Sequence, residues 1–261
     1  MNNVESQVID AHIHLDMYGV PDRNRLLKEL KHHHVAALIA VSCHLQSAEM
    51  NLEFSRIDKR IKPAFGYHPE QELPSDLMLD EIIAFMQRNQ EEMVAVGEVG
   101  LPYYSRQKNP NLQVDLYLEI LELFIQQAVT LDKPIVLHAV YDDAPLVCDL
   151  LEKHSVKKAH FHWFKGDYKT IERMQQNGYY ISITPDVLYE REIQQLVKHY
   201  PLSNMMVETD GPWRFKGPFM GEKTHPKMIH QSVAKIAELK GLNVEEVYCR
   251  LYENTSQFYC V

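Results

Sequence analysis

The feature that most constrains this chain is a regular alternation of short, β-branched apolar runs with longer stretches carrying apolar residues at helical spacing. Expected strands begin at Gln7 ("QVIDAHIHL"), Val35 ("VAALIAVS"), Lys62 ("KPAFGYHP") and Met93 ("MVAVGEVG"). Four more begin at Lys133 ("KPIVLHAV"), Lys158 ("KAHFHWF"), Tyr179 ("YYISITP") and Asn204 ("NMMVETD"). Leu26, Leu27 and Leu30 mark a helix before the second strand, and Leu116, Ile120, Leu123 and Phe124 one before the fifth. Alternation of this kind implies parallel strands joined by crossover helices. Eight units in 261 residues predict an α/β fold, a single-domain (β/α)8 TIM barrel over residues 1–261. An open doubly wound sheet is the competing architecture, but its G-x-G-x-x-G turn after the first strand is missing. Two helical runs follow the eighth strand, with Gly241 as a stop and Asn243 as an N-cap.

A hydrophobic content of 45% is enough for a substantial core, and a net charge of -9 argues against a broad basic surface for nucleic acid. A local grip on a nucleic acid stays open. Cys43, Cys148, Cys249 and Cys260 are scattered, with neither metal-ribbon spacing nor a disulfide framework. The amino-terminal stretch "MNNVESQVID" lacks a basic and then apolar leader, and no apolar run reaches the roughly twenty residues that span a bilayer. The expectation is a cytoplasmic protein without a membrane segment.

Polar residues then fall where a barrel builds its chemistry. Side chains alternate along a strand, so Asp10, His12, His14 and Asp16 would share one face. Glu98 ends the fourth expected strand, His138 the fifth, His160 and His162 the sixth, and Asp210 the eighth. A single buried histidine is more often a satisfied core residue than a ligand. Many ionisable groups at the carboxyl ends of five strands are different, because burying them is costly unless they are paired or bound to metal. Imidazole and carboxylate together suit Zn²⁺, Mn²⁺ or a similar divalent ion. The number of groups suits two ions better than one.

Taken in order, "DAHIHLD", "GYHP" around His68, "VGEVGL" around Glu98, "KPIVLH" ending in His138, "HWFKG" around His162 and "VETDGP" around Asp210 resemble the TatD-type metal-dependent hydrolases of the amidohydrolase superfamily. The resemblance spans nearly the whole chain. It implies two divalent metal ions (Zn, Mn or Mg), with His12, His14, Glu98 and Asp210 at one, and Glu98, His138 and His162 at the other. Glu98 would bridge them. It further implies that metal-activated water attacks a phosphodiester such as a single-stranded nucleic-acid end, or a small phosphoester, with Asp210 as general base and Glu98 beside it in the catalytic set. Asp10 is expected behind the ligands, orienting a metal-bound imidazole or serving as an ordinary strand-end carboxylate.

The chain also departs from the family pattern. Val140 in "HAVYDDA" stands where family members commonly carry the Arg of "HSRDA", Pro102 replaces the acid of "GLDYY", and Lys165 replaces the small polar residue of "HCFSG". Lys165, His68, Tyr103 and Arg214 are the candidate substrate contacts. Lys165 supplies a point charge rather than the bidentate fork of an Arg, and reads equally as a solvated loop lysine. Trp213, Phe215 and Phe219, interleaved with Arg214, Lys216 and Lys223, form either a stacking surface for bases or a hydrophobic lid. His160 is either an inner-layer core residue or a further ligand, and His32 to His34 read as a solvated helix end. Two other readings stay open: a hydrolase of a lactone or cyclic amide, which the loss of the Arg motivates, and a metal-binding scaffold with little turnover.

Overall fold

The computed structural model describes residues 6–261, so the first part of the stretch "MNNVESQVID" lies outside the described residues. All eight expected strands form: β1 (Val8–Ile13), β2 (Val35–Val41), β3 (Ile61–Phe65), β4 (Ala95–Gly100), β5 (Ile135–His138), β6 (Ala159–Phe161), β7 (Tyr180–Ile183) and β8 (Met205–Val207). They pair in parallel and in chain order. A bridge between Ile13 and Gly211 closes the barrel, where the Asp210 N–H donates to the His12 carbonyl at 2.9 Å and the His14 N–H to the Gly211 carbonyl at 2.8 Å. The closing seam therefore brings the end of β8 beside the paired histidines of β1.

The helices are α1 (Val20–Glu29), α2 (Leu45–Ile57), α3 (Asp76–Arg88), α4 (Tyr103–Lys108), α5 (Val114–Thr130), α6 (Asp143–Lys153), α7 (Tyr168–Asn177), α8 (Arg191–His199), α9 (Ile229–Lys240) and α10 (Val244–Tyr259). Gly241, at φ 64°, ends α9 in the left-handed conformation that a residue without Cβ adopts most easily. The Asn243 side chain accepts from the N–H groups of Glu245 and Glu246, starting α10. That helix packs against β1 and β8, and its Phe258 and Tyr259 join Ile9, Ala11, Ala37, Ala95 and Val136 in the core inside the barrel. No described helix is long and apolar enough to cross a membrane.

Three local expectations need correction. Helix α5 buries Tyr117, Leu121, Phe124, Ile125 and Ala128, while Leu116 and Leu123 are each 39% exposed. The helix is apolar around more than half its girth, so two rotations satisfy the same spacing and packing on the barrel chooses one. Asp16 leaves the face of His12 and His14 because β1 stops at Ile13 and a 3-10 turn covers Leu15–Met17. The run His32 to His34 lies in the turn after α1 rather than in its last turn, and His33 packs its ring edge-on to His225 at 5.3 Å.

Strands β4 and β5 approach too closely at the site for any side chain on Gly100. Its φ is 155°, and an added Cβ would stand 2.0 Å from the His138 carbonyl oxygen. Gly100→Ala should lower stability by roughly 3 kcal/mol, as overpacked cores do. Urea unfolding checks this; an unchanged midpoint would contradict the contact.

Candidate metal centre

The site begins with a carboxylate that burial should neutralise. Glu98 on β4 is fully buried, yet its two oxygens are shared out among five imidazoles. Oε2 lies 3.2 Å from His12 Nε2 and 3.3 Å from His14 Nε2. Oε1 lies 3.2 Å from His68 Nε2, 2.9 Å from His138 Nδ1 and 2.7 Å from His162 Nε2. Asp210 closes the first group, with Oδ1 at 3.5 Å from His12 Nε2 and 3.3 Å from His14 Nε2. The strand-end residues read from the sequence thus converge, and His68 joins them.

The electrostatics follow from this packing. Burial alone would push Glu98 up, but the imidazoles of His68, His162 and His12 hold its carboxyl well below the usual range. Asp210 is likewise lowered, burial being outweighed by the close approach of His14 and by the charges of His12 and His14. Burial opposes protonation of the histidines too. Contacts with Asp210, Cys43 and Glu98 nevertheless hold His14 well above its ordinary value, and Glu98 and Glu208 do the same for His162. His138 is raised by Glu70 and Glu98 against the same burial. His12 moves the other way, through burial and the neighbouring His162, whose ring stacks on it at 3.9 Å.

The donor set fits divalent cations. His12 Nε2, Glu98 Oε2 and Asp210 Oδ1 are buried and form no hydrogen bond, although the nitrogen lies 3.2 Å from the first oxygen and 3.5 Å from the second. Buried polar atoms that converge without being satisfied call for a ligand other than a neighbouring side chain. His12, His14 and Glu98 could hold one ion; His68, Glu98 and His138 form a second candidate group, and His12, His162 and Glu208 a third.

Around these residues stand partners that sequence reasoning missed. Glu70, two residues beyond His68, accepts from the N–H groups of Tyr104 and Ser105 at 2.7 Å each and lies 3.3 Å from His138 Nε2. Burial opposes its ionisation, but contacts with His138, Ser105 and Tyr104 bring it down to about 2. Glu208, two residues before Asp210, accepts from the Trp163 N–H at 2.8 Å and lies 3.7 Å from His162 Nδ1. Cys43, at the end of β2, sets its sulfur 3.5 Å from His14 Nδ1. The available signal was spacing: both glutamates sit two positions from residues already singled out.

Asp10 differs from its expected orienting role. Its carboxylate accepts from the His12 backbone N–H, the Thr209 N–H and the Thr209 hydroxyl, so it ties β1 to the end of β8 and does not touch the imidazole. His160 engages Tyr259 and Ser182 through its two nitrogens, deeper in the barrel, and is a core residue rather than a ligand. Phe215 and Phe219 are buried with Met228, leaving Trp213, 61% exposed, as the open aromatic of that loop. Lys165 reaches Asp186 at 3.9 Å and the Trp163 ring at 5.6 Å. Tyr103 is half-buried against Tyr141, and Arg214 is exposed.

A barrel with this cluster at its strand ends defines a metal-dependent hydrolase, and relatives agree. The chain belongs to the TatD related DNase family, whose model matches residues 9–260. It is 37% identical over 253 residues to a Haemophilus influenzae protein named as an uncharacterised metal-dependent hydrolase, covering 97% of this chain and 99% of that one. It is 31% identical over 252 residues to human deoxyribonuclease TATDN3, covering 92% and 90%. The crystal structure of YJJV, a TatD homologue from Escherichia coli, superposes with a TM-score of 0.84 at 24% identity, covering 97% of this chain and 98% of that one.

Protons and cations compete for the same imidazole nitrogens. Because His14, His138 and His162 stay protonated above the ordinary 6.5, cation uptake near neutral pH must release protons, and affinity should rise as pH increases through and beyond that value. Calorimetric Zn²⁺ titration in buffers of different ionisation enthalpy measures the release. Affinity independent of pH between 6 and 8 would contradict it.

Proposed function

We propose that this protein hydrolyses phosphodiesters, with single-stranded nucleic-acid ends as the substrate class, using two divalent ions. His12, His14, Glu98 and Asp210 hold one, and Glu98, His138 and His162 the other. What carries the reading is the division of Glu98: Oε2 faces His12 and His14, whereas Oε1 faces His138 and His162. A carboxylate whose oxygens serve two separate imidazole groups suits a bridge. The name of the human relative supports the nuclease assignment, and four free cysteines support a reducing, cytoplasmic setting.

Divalent ions held there would supply a water of lowered pKa and neutralise charge on the phosphate. The protein's own groups do the rest. Asp210 has one oxygen against His14 and His12 and a side chain 11% exposed, which suits it to accept the proton of the attacking water. His68, at 18% side-chain exposure the most open of the five imidazoles, faces the substrate. Lys165 steadies phosphate from the rim, Tyr103 and exposed Trp213 offer rings for stacking, and Arg214 contacts the backbone of a longer strand. With Val140 buried at the β5 end, the cation on that side is an ammonium rather than a bidentate guanidinium.

A panel of single-stranded DNA, RNA, a bis-aryl phosphodiester and a lactone, run with Mn²⁺, Zn²⁺ and Mg²⁺, tests the activity. Phosphodiester cleavage is expected, and lactone turnover without it would overturn the reading. Metal analysis tests the ligands separately. Glu98→Ala should lose both ions and His162→Ala mainly one; retention of both ions in Glu98→Ala would remove the bridge.

A further inference from the structure

Beneath the metal centre, a hydrogen-bonded file of buried polar groups runs from Tyr259 to Glu208, beside His162. Tyr259, in the last turn of α10, brings its hydroxyl to 2.6 Å from His160 Nδ1, and His160 Nε2 lies 2.6 Å from Ser182 Oγ on β7. The Ser182 hydroxyl in turn bonds Glu208 Oε2. The other oxygen of Glu208 accepts from the Trp163 N–H at 2.8 Å and is 3.7 Å from His162 Nδ1. His160, Ser182, Glu208 and Tyr259 are all at most 2% exposed.

Counting donors fixes the direction of the file. A carboxylate only accepts, so the single Ser182 proton points to Glu208 and the serine oxygen accepts from His160 Nε2–H. A neutral imidazole carries one N–H, leaving His160 Nδ1 to accept from the Tyr259 hydroxyl. Burial without a carboxylate in contact keeps that imidazole neutral. All three donors therefore point toward Glu208, and aligned bonds between buried groups reinforce one another.

We infer that Tyr259, His160 and Ser182 are positioning residues, which fix the Glu208 side chain beside the Nδ1 edge of His162 and so orient that ring with Nε2 toward a cation. A chain of this kind lets the carboxyl-terminal helix, which supplies no ligand, set the affinity of the ion that His162 holds. The inference rests on His162 being a ligand, as proposed above.

The test is Zn²⁺ affinity by chelator competition in Ser182→Ala, Tyr259→Phe and the double variant, with urea unfolding of each metal-free protein alongside. Losing a group that orients a ligand weakens metal binding by about 10-fold or more. Ser182→Ala should therefore weaken the ion lost in His162→Ala about 10-fold, and Tyr259→Phe about 3-fold. In the double variant the loss should equal that of Ser182→Ala alone, because the file is already cut. Ser182→Thr, which keeps the hydroxyl, should restore affinity, and covers the case in which Ser182→Ala does not fold. Wild-type affinity in Ser182→Ala, or losses that add in the double variant, would overturn the relay. If His162→Ala itself keeps both ions, the ligand assignment fails, and that result is distinct from failure of the relay.

Discussion

The arrangement depends on one fully buried carboxylate, Glu98, which stays charged because five imidazoles surround it. A lone ionised glutamate in a barrel would be expelled or neutralised. Here each imidazole comes from a different strand end or loop, apart from the His12 and His14 pair, so satisfying the charge requires the barrel to close. The charge and the fold thus depend on each other. The seam between β1 and β8, tied by Asp10 to Thr209, sets Asp210 against His12 and His14, and the tight contact at Gly100 sets Glu98 against His138.

Outward from that carboxylate, carboxylates and imidazoles alternate. Glu98 faces His138 and His162, and behind these stand Glu70 and Glu208. Each histidine is held between two acids, which fixes both its ring plane and the nitrogen it presents. The outer acids are anchored in turn by backbone N–H groups, those of Tyr104 and Ser105 for Glu70 and that of Trp163 for Glu208. Rigid positions of this kind are what a metal centre needs and what drifting loop residues do not disturb. The departures at Val140, Pro102 and Lys165 lie outside this lattice.

Much of the fold was legible because it rests on short-range patterns. Eight apolar runs separated by helical spacing leave few topologies, and all eight became strands. The gathering of His12, His14, Glu98, His138, His162 and Asp210 was legible for the same reason: each lies within a few residues of the carboxyl end of a strand, and parallel strands in order put those ends together. The rotation of α5 was not legible, since its broad apolar surface permits two seatings. Nor was Asp16, because the last residue of β1 is decided by the bridge from Ile13 to Gly211, a contact between opposite ends of the chain.

By itself, the sequence determined the element order, the parallel barrel and the set of ionisable residues at its mouth, because periodicity and strand-end placement are local properties that a closed barrel converts directly into position. Only the tertiary structure decided how Glu98 divides its oxygens, that Asp10 holds backbone rather than imidazole, and that Glu70 and Glu208 stand behind the histidines. It also decided that His160 belongs to a file reaching Tyr259. These facts depend on side-chain rotation and on register between strands distant in sequence. A difference of one staggered rotamer moves an oxygen from one imidazole to the next, and no local pattern encodes it.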